Sequence, residues 1–216
     1  MVGGSGLVGR FCLQALLEDP AYGSVISLAR RELPIAAHLR FTQKVLPFET
    51  LASLDLPPLD DVFCALGTTI RKAGSQEAFR KVDYDLPLAV ADHALKFGAR
   101  QFLLVSSIGA DAASKNFYLR TKGELENALR RLPFTTLHIF RPSFLMGKRE
   151  ESRLGESIAV PLAKVLQFLL IGGLRRYRPI AARNVGRAMV AAAKAEKKGP
   201  FVWQFDEINR LAQDLL

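Results

Sequence analysis

The chain has 216 residues, 49% of them hydrophobic, and a net charge of +9 at pH 7. That length suits one sizeable domain, and that apolar content supports a large core, which excludes intrinsic disorder. The basic residues are scattered as pairs (Arg30-Arg31, Arg130-Arg131, Arg175-Arg176, Lys197-Lys198) without interleaved aromatics, so one anionic ligand is expected and nucleic-acid binding is not.

The sequence begins MVGGSGLVGR. Gly3, Gly6 and Gly9 have the G-x-x-G-x-x-G spacing of a turn that sets a dinucleotide pyrophosphate on a helix start. The helix is expected over residues 7–17, with Val8, Phe11, Cys12, Ala15 and Leu16 on one face. Such a turn ordinarily follows a buried central strand, yet only Met1 and Val2 precede it. Losing a central strand would cost on the order of 10 kcal/mol, comparable to the stability of a whole domain. The first strand is therefore expected to be largely missing from this chain, and the native N-terminus to extend further or to have been mis-assigned.

SVISLAR (24–30) reads as a strand whose tip carries Arg30 and Arg31 and no acidic residue. A carboxylate there would accept the ribose 2′-hydroxyl of NAD; a guanidinium fork matches a 2′-phosphate instead, so NADP(H) is favoured. FTQKVLPF (41–48) is a weaker strand, and VFCALG (62–67) a continuous apolar one. A helix over 86–97 follows Asp83 or Asp85 as N-cap and stops at Gly98. FLLVSS (102–107), a helix over 118–132, and TTLHIF (135–140) come next. A helix over 185–196 is expected behind an Asn184 cap, and the strand FVWQF (201–205) after it.

Continuous apolar strands alternating with helices predict a doubly wound, mostly parallel sheet covered on both faces: a three-layer Rossmann α/β fold. The whole chain, 1–216, reads as one NAD(P)-binding domain, with 146–180 as a small substrate-side segment. Ligands of such a fold bind at the C-terminal ends of the strands. Cys12 and Cys64 lie in apolar runs and read as packed thiols in a reducing compartment. With no leader pattern at the start, a cytoplasmic location is expected. His38, His93 and His138 are too far apart in sequence to suggest a metal site. The apolar run from Ile158 is interrupted by Pro161, Lys164 and Gln167 and falls short of the ~20 residues of a membrane span. FLLIGGL and NRLAQDLL could supply an apolar contact surface, leaving monomer and homodimer both open.

Tyr118 and Lys122 are four residues apart on one helix face, just after a strand that ends in Ser106 and Ser107. Hydride transfer at a carbonyl requires a proton on the developing alkoxide. A tyrosine can exchange that proton if a lysine favours its phenolate, while a serine hydroxyl holds the substrate oxygen. Ser107 is the preferred serine, with Ser106 as the alternative.

GGSGLVGR, LARREL, CALGTT, VSSIGADAASKNFYLRTKGELE and FRPSFLMGKREESRLGE together resemble the short-chain dehydrogenase/reductase superfamily. Among its atypical members they are most similar to the Tat-interacting oxidoreductase-like family. The resemblance implies that Tyr118 is the proton acceptor beside Lys122. It puts Ser5, Gly6, Leu7 and Val8 at the phosphates and Arg30 and Arg31 at the 2′-phosphate. It further implies that Leu66 and Gly67 line the cofactor, that Leu145 approaches the nicotinamide end, and that Arg153 closes over it. Asp83 departs from the Asn that extended relatives often carry near the active site; it reads as a structural helix cap, the alternative being a carboxylate near the proton-transfer groups. The function expected is an NADP-dependent oxidoreductase acting on a small carbonyl or alcohol, of unknown identity. The alternative is a non-catalytic NADP(H)-binding regulator or scaffold; the short C-terminal region disfavours an epimerase or dehydratase.

Overall fold

The computed structural model describes residues 1–147, 170–195 and 197–215. Five apolar runs form parallel strands: β1 (Val25–Ala29), β3 (Asp61–Cys64), β4 (Gln101–Val105), β5 (Thr136–Phe140) and β8 (Gly199–Trp203), with β2 (Phe41–Val45) beside β1. β3, β4, β5 and β8 are paired in that order, and every residue of β5 is buried. β2 is an edge strand, half-exposed along its length, which is why its sequence carries Thr42 and Lys44 among the apolar residues.

The place expected for a first strand, between β1 and β3, is held by two residues. Val2 bridges Leu28 of β1 and Cys64 of β3, both in parallel sense. The Val2 amide donates to the Phe63 carbonyl (2.8 Å), the Ala65 amide to the Val2 carbonyl (3.0 Å), and the Leu28 amide to the Met1 carbonyl (3.0 Å). Beneath this short bridge, Met1, Val2, Ile26, Leu51, Val62 and Val90 line a cavity of about 40 Å³.

Helices cover both faces, as the continuous apolar strands require. On one face pack α1 (Leu7–Glu18), α6 (Ala182–Lys194) and α7 (Phe205–Gln213), burying Cys12, Leu13, Leu16, Val185, Met189 and Ile208 against the sheet. On the other lie α4 (Leu86–Lys96) and α5 (Phe117–Leu129), burying Val90, Ala94, Leu125 and Leu129. Arg40 reaches back to cap the C-terminal end of α1, donating to the carbonyls of Asp19 and Tyr22 at 2.7 Å each.

Three local expectations are corrected. Asn184 does not cap the penultimate helix: that helix starts at Ala182, and the Asn184 side-chain amide donates instead to Asn209 on α7 (2.7 Å). Asp85, not Asp83, is the N-cap residue of α4, but its side chain makes no capping hydrogen bond, because two short helices, α2 (Ile70–Ala73) and α3 (Gln76–Arg80), precede α4 and α3 runs into it through a π-helical turn at Lys81–Asp85. The tail NRLAQDLL is not a free contact surface. Its residues 209–213 belong to α7, which is opened by a Gln204–Glu207 capping box and turns Ile208, Leu211 and Ala212 inward.

His138 sits in the middle of β5 with no exposed surface. The indole N–H of Trp203, the sole tryptophan, donates to its Nδ1 (3.1 Å), and both rings stack with Phe201. Burial, followed by the charge of Lys197, lowers its pKa from 6.5 to about 4. A depressed histidine pKa means that the folded state binds the proton more weakly than the unfolded chain. This stabilisation is complete above pH 6.5 and is lost as pH falls towards 4, at a cost of about 3 kcal/mol. Denaturation followed by Trp203 emission should show that loss in the wild type and a smaller one in His138→Gln. Equal losses would exonerate His138.

Candidate active site

The glycine turn is folded as its spacing requires. Gly3 has φ +83°, and a β-carbon on it would lie 2.5 Å from the backbone of Ala65 at the exit of β3. A β-carbon on Gly9 would lie 2.0 Å from the Gly3 carbonyl oxygen, so the helix start and the turn can touch only through glycine. Gly6 is the N-cap of α1, and no side chain caps it. The first amides of α1 therefore face outward beyond the strand ends, beside exposed Ser5 and half-buried Leu7. Val8 and Gly9 are buried, and only their backbone can face a ligand.

The other predicted residues gather along the same edge of the sheet. Arg30 and Arg31 are exposed directly after β1, whose Leu28 is bridged to Val2. Leu66 and Gly67 follow β3; a β-carbon on Gly67 would lie 3.5 Å from Asp83 Oδ1 and 3.9 Å from Lys122 Nζ. Ser106 and Ser107 follow β4. Leu145 lies in the two-residue strand β6 (Leu145–Met146), paired with β7 (Ile180–Ala181). A β-carbon on the adjoining Gly147 would meet Leu7 at 2.8 Å, so this segment adjoins the glycine turn. Arg153 lies outside the described residues, as does most of the 146–180 segment.

Helix α5 starts behind Asn116, whose side chain accepts from the Leu119 amide (3.2 Å). Tyr118 is half-buried with its ring 5.6 Å from that of Phe79. Lys122, one turn on, is buried and ion-paired with Asp83 (2.7 Å). Burial works against the ammonium, but the Asp83 carboxylate and then Tyr118 outweigh it and hold the Lys122 pKa above its ordinary value. The two serines differ. Ser106 is buried and donates to Glu126 Oε1 (2.6 Å), and the same carboxylate accepts from Arg141 Nε (2.9 Å). Ser107 is half-buried, and its hydroxyl reaches only the neighbouring Ile108 carbonyl (3.3 Å).

Two features escaped the sequence. Glu126 and Arg141 were present in KGELE and FRPSF, and the four-residue step from Lys122 to Glu126 was the signal that they share a face. Asp83 carried no comparable signal, because a π turn breaks the helical period that would have aligned it.

The chain matches the HIM1 family model over residues 37–170. The chain belongs to the HIM1 family. Curated relatives include Protein FMP52, mitochondrial, of Candida albicans, 35% identical over 90% of this chain and 86% of that one. Rat Protein HTATIP2 is 39% identical over 74% of this chain and 67% of its own length. These relatives support the resemblance of this HIM1 chain to atypical members of the short-chain dehydrogenase/reductase superfamily. Its fold is shared with a UDP-N-acetylglucosamine 4-epimerase of Methanobrevibacter ruminantium (TM-score 0.70, 15% identity, 98% of this chain and 78% of that one). The enzyme WbmH of Bordetella bronchiseptica, solved with NAD+, gives TM-score 0.67 at 16% identity, over 94% and 73% of the two chains. The Rossmann fold is thus established for this HIM1 member.

The cytoplasmic expectation is overturned. FMP52 proteins of several fungi are named mitochondrial, which points to mitochondria rather than cytoplasm. Packed thiols distinguish neither compartment. Among the described residues, no helix is long and apolar enough to cross a membrane.

Proposed function

We propose that this HIM1 protein is an NADP-dependent oxidoreductase that interconverts a small carbonyl and its alcohol. What supports the reading is that Ser107 follows β4, and Lys122 lies near Gly67 after β3, on the sheet edge that holds the glycine turn, with Tyr118 one turn before Lys122. The residues fit a dinucleotide: glycines leave room at the turn, α1 offers uncapped amides to the pyrophosphate, and Gly67 leaves open the space above Lys122 that a side chain would fill. Gly3, Ser5, Gly6, Leu7, Val8 and Gly9 would hold the phosphates, with Leu66 and Gly67 along the middle of the cofactor and Leu145 near its far end. A bound nicotinamide supplies the hydride to the carbonyl carbon, or accepts it in the reverse direction.

The protein's part is to position and to move a proton. Ser107 would hold the carbonyl oxygen, and Tyr118 would give its phenolic proton to that oxygen as the alcohol forms, regaining it from solvent. Lys122 would favour the phenolate left behind.

Arg30 and Arg31 favour NADP over NAD because a 2′-phosphate gives both guanidinium groups a charged acceptor. Fluorescence titration should show NADPH binding more tightly than NADH, and Arg30→Ala/Arg31→Ala should erase that preference, a loss of roughly tenfold or more. Equal affinities in the wild type would refute the NADP assignment.

A further inference from the structure

The segment KVDYD forms a π-helical turn, Lys81–Asp85, where α3 passes into α4. Such turns interrupt the helical period locally and recur at functional sites. This one carries Asp83, whose side chain is 1% exposed, directly beneath the Gly67–Thr68 backbone. Its Oδ2 accepts from the Thr68 amide (2.8 Å), and its Oδ1 lies 2.7 Å from Lys122 Nζ, itself 4% exposed. Taking two charges out of water costs more than well-packed apolar side chains would at the same place, so stability alone does not call for this pair.

The groups that face Lys122 are Asp83 from the π turn, Tyr118 from its own helix and Cys64 from β3. Burial pushes the Cys64 thiol up to about 11, so it stays uncharged at neutral pH. That leaves two candidate anions for one ammonium: the Asp83 carboxylate, already paired, and the Tyr118 phenolate that proton transfer would create.

We infer that Asp83 is a positioning residue that fixes Lys122 under Gly67 and, by neutralising it, sets how readily Tyr118 gives up its proton. The inference rests on the proposed role of Tyr118 in proton transfer. With Asp83 in place, the ammonium already has a partner anion and lends Tyr118 less help in releasing its proton. Without it, Lys122 has no nearby anion among the described residues until Tyr118 ionises.

The test needs neither cofactor nor substrate. The four tyrosines, Tyr22, Tyr84, Tyr118 and Tyr177, are titrated by tyrosinate absorbance, and subtracting the same titration with Tyr118→Phe isolates Tyr118. Asp83→Asn keeps the acceptor for the Thr68 amide but removes the charge, and should move the Tyr118 midpoint down by roughly one unit or more. Lys122→Met leaves the carboxylate alone and should move it up. The double variant Asp83→Asn/Lys122→Met should return it close to the wild-type position. A purely structural Asp83 predicts no such opposition of sign: unmoved midpoints, or shifts in one direction, overturn the inference. If Asp83→Asn alone does not fold, the double variant is compared with Lys122→Met: the Tyr118 midpoint should fall when the carboxylate is removed, and equal midpoints overturn the inference. A chain that bound no NADPH would sink the proposed function and leave this titration intact, whereas unmoved midpoints in a chain that binds NADPH sink only the inference.

Discussion

Replacing Tyr118 by Phe is expected to lower turnover of a carbonyl substrate by roughly a hundredfold to ten-thousandfold, the range contributed by a positioned acid–base group. The fold should not suffer, because a phenylalanine ring keeps the packing against Phe79 at 5.6 Å. NADPH affinity should also survive, since the phosphate turn and the Arg30–Arg31 tip are untouched. The measurement is kcat over a panel of small aldehydes, ketones and alcohols, with binding monitored in parallel. Unchanged turnover in the variant would remove Tyr118 from the chemistry. If the wild type binds NADPH tightly but turns over nothing in the panel, the non-catalytic alternative gains.

The second large effect is structural. Arg141→Met should destabilise the protein by about 3–5 kcal/mol, because it strands the Glu126 carboxylate in the interior with the Ser106 hydroxyl as its remaining hydrogen-bond donor there. For a domain of this size, that corresponds to a fall in Tm of roughly 10 °C. Combining it with Glu126→Leu removes both charges and should recover most of the loss, as exchange of a buried pair for apolar side chains generally does. A melting temperature that does not change in Arg141→Met would show that the network holds nothing together.

The sheet was legible because its physics is local. VFCALG, FLLVSS and TTLHIF are apolar on both faces, and only a strand covered by helices on both sides accommodates that. The glycine turn was legible for a different reason: Gly3 and Gly9 touch each other across six residues, so sterics write themselves into spacing. What stayed hidden depends on contacts far apart in sequence. Asn184 looked like a cap, and only the arrival of α7 gives its amide a partner in Asn209. Residues FVWQF read as one strand, but the capping box at Gln204 starts a helix inside it. Asp83 looked like a helix start, and only the π turn and the approach of Lys122, thirty-nine positions on, reveal a buried ion pair. Glu126 was concealed by its neighbours Leu125 and Leu129, which give α5 an ordinary apolar stripe.

Helix α5 presents Tyr118, Lys122 and Glu126 on three successive turns, each engaged by a different part of the molecule: Phe79, Asp83 and Arg141. One residue inserted between Tyr118 and Glu126 would swing everything downstream by about 100° and break register with all the partners beyond it at once. The interval is therefore a ruler. Side chains at the two ends of a contact can be exchanged together, but the spacing from Tyr118 to Glu126 admits no change in length without losing these partners.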